Sequence, residues 1–377
     1  MNLSDPDLVT PGLILNRAQL VRNSSRFKRH FASHKVTLRP HLKTVKNVDA
    51  ARLLVSGNTG PATVSTLREA EAFGQAGMTD LLYAVGITPQ KLGRVSGLRQ
   101  QGIDLKVIVD TPAVAKAIAE HATNKGAIPT LIEIDTDGHR SGVPMNDEAR
   151  LIETAAQLDA AQCFAGVMTH AGGSYDYQDA EQILNWAERE RSGAAHVADV
   201  LQRAGFTCPT VSIGSTPTAL ALKNTLGITE VRAGVYSFFD LFQAGVGVCA
   251  VDDIALSVLT TVIGHQQDKN WIITDSGWMA LSADRSTAKQ RVDQGYGLVC
   301  DIEGRPLVDL VVEGVNQEHG IISLRSGSKR TLPELPVGTR LRILPNHACA
   351  TASQHAEYLV VEDGQEVVQR WPRISGW

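Results

Sequence analysis

From about residue 35 to residue 236 the chain alternates short apolar runs, many of them β-branched, with longer stretches whose apolar positions recur at helical spacing. The short runs are Lys35–Leu38, Ala62–Val64, Asp80–Val85, Leu105–Val109, Thr130–Ile134, Phe164–Thr169, Thr210–Ile213 and Glu230–Val235. Most are continuously apolar, the pattern of strands buried on both faces of a parallel sheet. Between them lie helical patterns such as Ala113–His121, Asp147–Leu158 and Asp179–Ala204. The first follows Thr111-Pro112, a capping residue and a proline where a helix start tolerates one. Eight strand–helix repeats predict a closed (β/α)8 barrel.

After about residue 250 the rhythm changes. Ile254–Ile263, Trp271–Thr274, Gly297–Asp301, Leu307–Val312, Gly320–Leu324, Arg340–Leu344 and Glu357–Val361 are strand-like runs separated by Gly, Asp and Pro turns. Few helix-length segments intervene, so a mostly antiparallel β domain is expected. The fold class is therefore α/β, with the barrel over residues 17–245 and the β domain over 246–377. Gly12–Asn16 precedes the barrel, and residues 1–16 are expected to join the β domain. A length of 377 residues suits two cores better than one.

Composition narrows the function classes. Thirty-six Lys and Arg against 40 Asp and Glu leave no basic stripe for nucleic acid. The most apolar long window, Gly245 to Ile263, is interrupted by Asp252 and Asp253, which argues against a membrane span. The N-terminal residues lack the basic and apolar regions of a signal peptide. Cys163, Cys208, Cys249, Cys300 and Cys349 form no CxxC motif. These features set the expectation of a cytoplasmic protein with a small-molecule substrate.

A barrel of this kind carries its chemistry on the loops after the strands. Lys43 follows the first strand, where Arg39, His41 and Lys46 also gather. That cluster suits either a nucleophilic amine or a plain anion site. Asp135–Arg140 follow the fifth strand and His170–Tyr175 the sixth. Gly214-Ser215-Thr216 follow the seventh, where such barrels bind phosphate, although the same turn also reads as a helix cap. His347 and Cys349 follow the run ending at Leu344. In an extended chain residues i and i+2 share a face, so this pair is expected to bind one soft divalent ion. The plainer alternative is a buried cysteine beside a hydrogen-bonded histidine.

Several motifs carry a resemblance. RPHLKT (39–44), EIDTDGHRSGV (133–143), THAGGSY (169–175), VSIGSTPT (211–218), EVRAGVYSFFD (230–240), DSGWMA (275–280), NQEHG (316–320) and PNHACAT (345–351) span most of the chain in order. The sequence resembles the fold-type III, alanine racemase-like pyridoxal phosphate enzymes, in the D-serine dehydratase and D-threonine aldolase branch. Within it the similarity is greatest to dehydratases acting on D-threo-3-hydroxyaspartate. The resemblance implies that Lys43 is the Schiff-base lysine and the base for the α-proton. It implies that Tyr175, Thr216, Gly234 and Val235 hold pyridoxal 5'-phosphate, with Gly214 and Ser215 at its phosphate and Arg232 facing its ring nitrogen. His347 and Cys349 are implied as ligands of a divalent metal (zinc, manganese, magnesium or cobalt) that assists loss of the β-hydroxyl. Arg140 and His319 are candidates for the substrate's distal group. The implied activity is a lyase, a D-3-hydroxyamino-acid dehydratase making oxaloacetate and ammonia from D-threo-3-hydroxyaspartate, or pyruvate and ammonia from D-serine. His-x-Cys, where aldolases tend to carry His-x-Asp, favours dehydration over a D-threonine-type aldolase. A non-catalytic pyridoxal phosphate carrier would need neither the metal pair nor the β domain. A homodimer is implied by analogy.

Overall fold

In the computed structural model, which describes residues 1–377, eight parallel strands pair in one continuous sheet. Their order is Thr37–Leu38, Glu230–Val231, Thr210–Ile213, Phe164–Met168, Thr130–Asp135, Asp104–Val109, Asp80–Gly86 and Ala62–Val64. The ends meet: His41 bridges Thr63 in parallel, with Leu42 N donating to Thr63 O at 2.8 Å and Thr63 N to Pro40 O at 2.9 Å. The sheet is thus the closed barrel expected from the eight apolar runs. The first strand is regular over only two residues because Pro40 has no N–H to donate. The ladder continues beside it, Arg39 N and His41 N donating to Val231 O and Ala233 O. Leu82, Ile108, Leu131 and Met168, one from each of four consecutive strands, form a packed layer with Ala84 and Ala165 against it.

Helices follow the strands where side-chain caps open them. Thr111 accepts from Val114 N at the head of Pro112–Lys125, whose end is Gly126 at φ +87°. Asp147 opens Glu148–Asp159 by accepting from Arg150 N, and Asp179 opens Ala180–Arg203 by accepting from Glu181 N and Gln182 N. Each carboxylate or hydroxyl satisfies an N–H that has no partner within its helix.

The barrel also buries charge. Arg39 and Glu230 are 5% and 4% exposed, with Arg39 Nε 2.6 Å from Glu230 Oε2. Arg39 Nη1 reaches Asp80 Oδ1 at 2.8 Å. The other oxygen of Glu230 accepts from Ser212 Oγ at 2.7 Å, and that hydroxyl accepts from Arg232 Nε at 2.8 Å.

The second unit is a nine-stranded sheet. It runs Trp271–Thr274, Gly320–Leu324, Pro306–Val315, Leu298–Cys300, Arg340–Leu344, Leu256–Gln266, Gly12–Asn16, Glu357–Val361, Val367–Pro372. Trp271–Thr274 also pairs with Leu256–Gln266, which closes the first six strands into a ring. Every pairing is antiparallel except that of Gly12–Asn16 with Glu357–Val361. Leu3, Leu8, Ile14, Leu259, Leu359 and Val361 form one buried cluster here, covered by Ile302 and Val367.

The compact units are Arg26–Gly234 with Ile374–Trp377, and Met1–Ser25 with Val235–Arg373. The division at 234/235 falls ahead of the boundary at 245 read from the sequence. The reason is local: Ala255 N donates to Phe238 O, and Leu241 N and Phe242 N donate to Pro345 O and Asn346 O. Residues 17–25 sit with the β sheet because Asn23 Nδ2 donates to Ser237 O and Asp253 O. The last residues belong to the barrel unit through Ile374 N on Lys46 O.

Gly166, at φ +127° in the strand Phe164–Met168, has no room for a side chain, since a Cβ would collide with the Thr210 carbonyl of the next strand. Gly166→Ala should lower the unfolding free energy by at least ~3 kcal/mol. Urea unfolding checks this, and a loss below ~1 kcal/mol would contradict the packing described.

Candidate active site

The loops after the barrel strands bring most of the barrel candidates together. Lys43 is exposed just after the first strand, and its ammonium has no hydrogen-bond or ion-pair partner. The expected crowd of cations around it is not what forms. Arg39 turns into the core against Glu230 and Asp80, and Lys46 Nζ lies 3.1 Å from the fully buried Glu69. The neighbours that matter are His41, His170 and Arg232. Burial drives both imidazoles well below their ordinary pKa, His170 to about 3, and the charges of Lys43 and Arg232 add to this. After burial the largest influence on His170 is Gly214 O beside its Nδ1, at 2.9 Å, which pulls the other way.

Arg232 is 3% exposed. Besides Ser212, its guanidinium donates to Thr169 O. Gly214, at φ +141°, lies so close to the Arg232 carbonyl that any Cβ would collide with it. At Gly234 a Cβ would lie 2.9 Å from His41 O and 3.1 Å from Thr44 Oγ1. The two glycines therefore mark places where the chain packs directly on itself, Gly214 on the Arg232 backbone and Gly234 on His41 and Thr44, with no room for a side chain. Ser215 opens the short helix Thr216–Ala221 with a capping box to Thr218. Gly214 N–H is committed to Glu190 Oε1 at 3.0 Å and Ser215 N–H to Thr218 Oγ1 at 3.2 Å. These two residues thus shape the turn, while Thr216 occupies the first helical position and is 1% exposed.

The fifth and sixth loops clasp each other. Asp137 N and Gly138 N donate to Asp135 Oδ1, and Gly173 N donates to Asp137 Oδ2 at 2.8 Å. His139 packs so tightly on Gly172 that a Cβ there would collide with its ring. Tyr175 follows in the turn Gly172–Asp176, its ring centroid 6.2 Å from that of His170. Arg140 is mostly exposed and lies 3.6 Å from the buried carboxylate of Glu133. Val235 begins the turn Val235–Ser237 and belongs to the β unit.

In the β unit, His347 and Cys349 adjoin, but not on an extended segment. His347 (φ −134°, ψ 105°) is the cap of a short helix, Ala348–Ala352, and Cys349 lies in its first turn. The cause is Asp240, whose buried Oδ2 accepts from Ala348 N at 2.9 Å while Oδ1 accepts from Gln243 N at 2.9 Å. Burial pushes the Asp240 carboxyl up to about 6, against the lowering effects of His347 and these two N–H groups. His347 Nδ1 lies 3.2 Å from Asp284 Oδ2, and the imidazole is also hydrogen-bonded to Cys349. Burial opposes a charged His347, but Asp284, Cys349 and Asp240 together raise it well above the ordinary imidazole range. Asn346 braces the loop, donating to Asp284 O and Gly295 O and accepting from Thr287 Oγ1. No group of three or more His, Cys, Asp or Glu side chains is arranged to hold a metal ion. An imidazole and a thiol still fit a soft divalent ion, since Asp284 holds Nδ1 and leaves Nε2 as donor. Only two protein ligands would leave coordination positions open. His319 lies in an exposed turn, and its side chain has no hydrogen-bond partner.

Comparison with known proteins gives these clusters a family. Residues 15–241 match the model described as alanine racemase, N-terminal domain, and residues 255–361 match the putative serine dehydratase domain. D-threo-3-hydroxyaspartate dehydratase of Delftia sp. (strain HT23) is 49% identical over 98% of each chain. The chain belongs to the alanine racemase-like, fold-type III pyridoxal phosphate enzymes. A cysteine-to-alanine mutant of D-threo-3-hydroxyaspartate dehydratase, solved in the metal-free form, matches with a TM-score of 0.94 at 47% identity and full coverage of both chains. D-threonine aldolase from Filomicrobium marinum matches less closely, at TM-score 0.79 and 25% identity over 97% of this chain and 95% of that one.

For a pyridoxal phosphate enzyme the barrel loops are chemically suitable: they carry an unpartnered amine, a serine-capped turn and a buried guanidinium. Sequence reasoning isolates Lys43 and the His-x-Cys pair, places His170 on the loop after the sixth strand without giving it a role, and passes over Glu190 and Asp284. His170 does stand in the THAGGSY motif. Glu190 is hidden in the charged run Glu188-Arg189-Glu190-Arg191, and Asp284 in an irregular loop, so neither gives a local signal.

His170 binds no proton in the folded protein until pH falls to about 3, whereas in an unfolded chain it titrates near 6.5. Between those values the unfolded state holds the extra proton, so acidification lowers stability, by up to about 1.4 kcal/mol per pH unit. His170→Asn should flatten the decline between pH 6.5 and 5, measured as unfolding free energy in urea. An unchanged slope would show that the ring protonates in place.

Proposed function

We propose that the protein is a pyridoxal phosphate- and divalent-metal-dependent dehydratase of D-3-hydroxyamino acids. It would convert D-threo-3-hydroxyaspartate into oxaloacetate and ammonia, and D-serine into pyruvate and ammonia. The observation that carries this reading is the His347–Cys349 pair braced by Asp284. A racemase has no use for such a pair, and a carrier would need no metal.

Lys43 would hold the cofactor and take the α-proton at its Nζ. Thr216, Tyr175, Gly234 and Val235 would fix the cofactor, with Gly214 and Ser215 shaping the turn at its phosphate. Pyridoxal phosphate, when bound, supplies a sink for the electron pair left behind at the α-carbon. Arg232 would face the ring nitrogen, and a guanidinium does not readily surrender a proton to it. The sink is then a weak one, which places more of the work on departure of the β-hydroxyl. His347 and Cys349 would hold the divalent ion, zinc or manganese first among candidates, and a bound ion supplies Lewis acidity toward that hydroxyl. Overall, the α-proton and β-hydroxide leave as water, and hydrolysis of the resulting enamine releases the 2-oxo acid and ammonia. Arg140, whose guanidinium is mostly exposed, is the first candidate for the substrate's β-carboxylate. His319 is the second. A homodimer is the expected assembly.

With D-threo-3-hydroxyaspartate, the purified enzyme should release ammonia and a 2-oxo acid in equal amounts. EDTA should cut the rate at least tenfold, with recovery on adding zinc or manganese, and Lys43→Ala should abolish it. Glycine plus an aldehyde would make the enzyme an aldolase instead. Metal affinity gives a separate check. Asp284→Asn should weaken zinc binding about 10–100-fold in a chelator competition, and an unchanged affinity would remove Asp284 from the metal site.

A further inference from the structure

One buried carboxylate in the barrel unit serves no ion pair. Glu190, on the helix Ala180–Arg203, is 1% exposed. It forms no salt bridge, and its two oxygens are satisfied by neutral donors. Oε1 accepts from Ala171 N and Gly214 N, both at 3.0 Å, and Oε2 accepts from Thr218 Oγ1 at 2.6 Å. Burial raises its carboxyl pKa, while these three donors and the charge of Arg232 hold it down in part.

The donors come from two loops. Ala171 follows the strand Phe164–Met168, and Gly214 and Thr218 follow Thr210–Ile213. A second contact joins the loops, since Ser174 Oγ lies 3.2 Å from Ser215 Oγ and donates to Ala171 O at 2.8 Å. Burying a carboxylate is costly unless its hydrogen bonds are well placed. The helix therefore carries an expensive group whose bonds run to the turn proposed for the cofactor phosphate and to the loop beside it.

We propose that Glu190 is a positioning residue that presets the Gly214–Thr218 turn to receive the phosphate of the cofactor. This inference rests on the pyridoxal phosphate reading of the barrel site. Its contribution is geometric rather than electrostatic, because a carboxylate near a phosphate repels it. Glutamine can reproduce the bonds, its amide oxygen accepting from Ala171 N and Gly214 N and its NH2 donating to Thr218 Oγ1. Leucine fills a similar volume and makes none of them.

The test is titration of the full-length, cofactor-stripped protein with pyridoxal phosphate and with pyridoxal, which lacks the phosphate, followed by absorbance. Glu190→Leu should weaken pyridoxal phosphate binding at least tenfold and leave pyridoxal binding within twofold of the parent. Glu190→Gln should bind pyridoxal phosphate within threefold of the parent, or more tightly. If Glu190→Leu fails to fold, Thr218→Val provides the same test, with an expected three- to tenfold loss confined to pyridoxal phosphate. The proposal is overturned if the leucine or valine variant keeps the parent's affinity, or loses both ligands by the same factor. It is also overturned if glutamine fares as badly as leucine. A parent protein that binds neither compound would instead sink the cofactor reading itself.

Discussion

The barrel unit depends on two guanidinium groups sharing one carboxylate inside it. Arg39 meets Glu230 directly, and Arg232 meets it through the hydroxyl of Ser212. Neither cation could be buried alone, since removing an ion from water costs several kcal/mol even after relaxation. Glu230 compensates both, and Asp80 takes the outer side of Arg39. The arrangement holds a permanent positive charge at the loop end of the barrel, 3% exposed. That charge, with Lys43, helps to keep His41 and His170 uncharged. A fixed guanidinium beside neutral imidazoles offers an anionic ligand both charge and hydrogen-bonding capacity.

The His347–Cys349 pair is built on the opposite plan. Its residues lie on a loop and one short helix rather than on strands. Rigidity comes from backbone groups: Asp240 on Ala348 N and Gln243 N, and Asn346 on Asp284 O and Gly295 O. His347 itself remains half-exposed, tied at one ring nitrogen to Asp284. The pair is thus stiff in its frame and open at its donors.

The barrel was legible because burial on both faces writes strands as unbroken apolar runs, and because the Thr111, Asp147 and Asp179 caps are local. The final strand, Val367–Pro372, was not. It forms an outer edge, alternates weakly and contains Gln369 and Arg370, so its identity comes from pairing with Glu357–Val361. Pro345 marked the end of a strand correctly, but the helix after His347 did not show, because Asp240, which holds Ala348 N, is remote in sequence. The grouping of Arg39 with Lys43 misled for a related reason. Nothing local indicates that Glu230, far along the chain, captures one and leaves the other exposed. Glu190 and Asp284 were unreadable, since what distinguishes them is only what surrounds them in three dimensions.

The strand Gly12–Asn16 has a consequence for how the protein is made. It leaves the ribosome well before either strand it lies between, Leu256–Gln266 and Glu357–Val361. At about 5–20 residues per second, its second neighbour follows only tens of seconds later. Through that interval Leu13, Ile14 and Leu15, all nearly or wholly inaccessible in the folded protein, must stay soluble without their partners. The barrel can close in the meantime, since its strands lie wholly within residues 37–231. The β unit, which carries the His347–Cys349 pair, is therefore completed only after the barrel strands have been made. Truncated products that end short of Glu357 would present a folded barrel joined to an unfinished sheet.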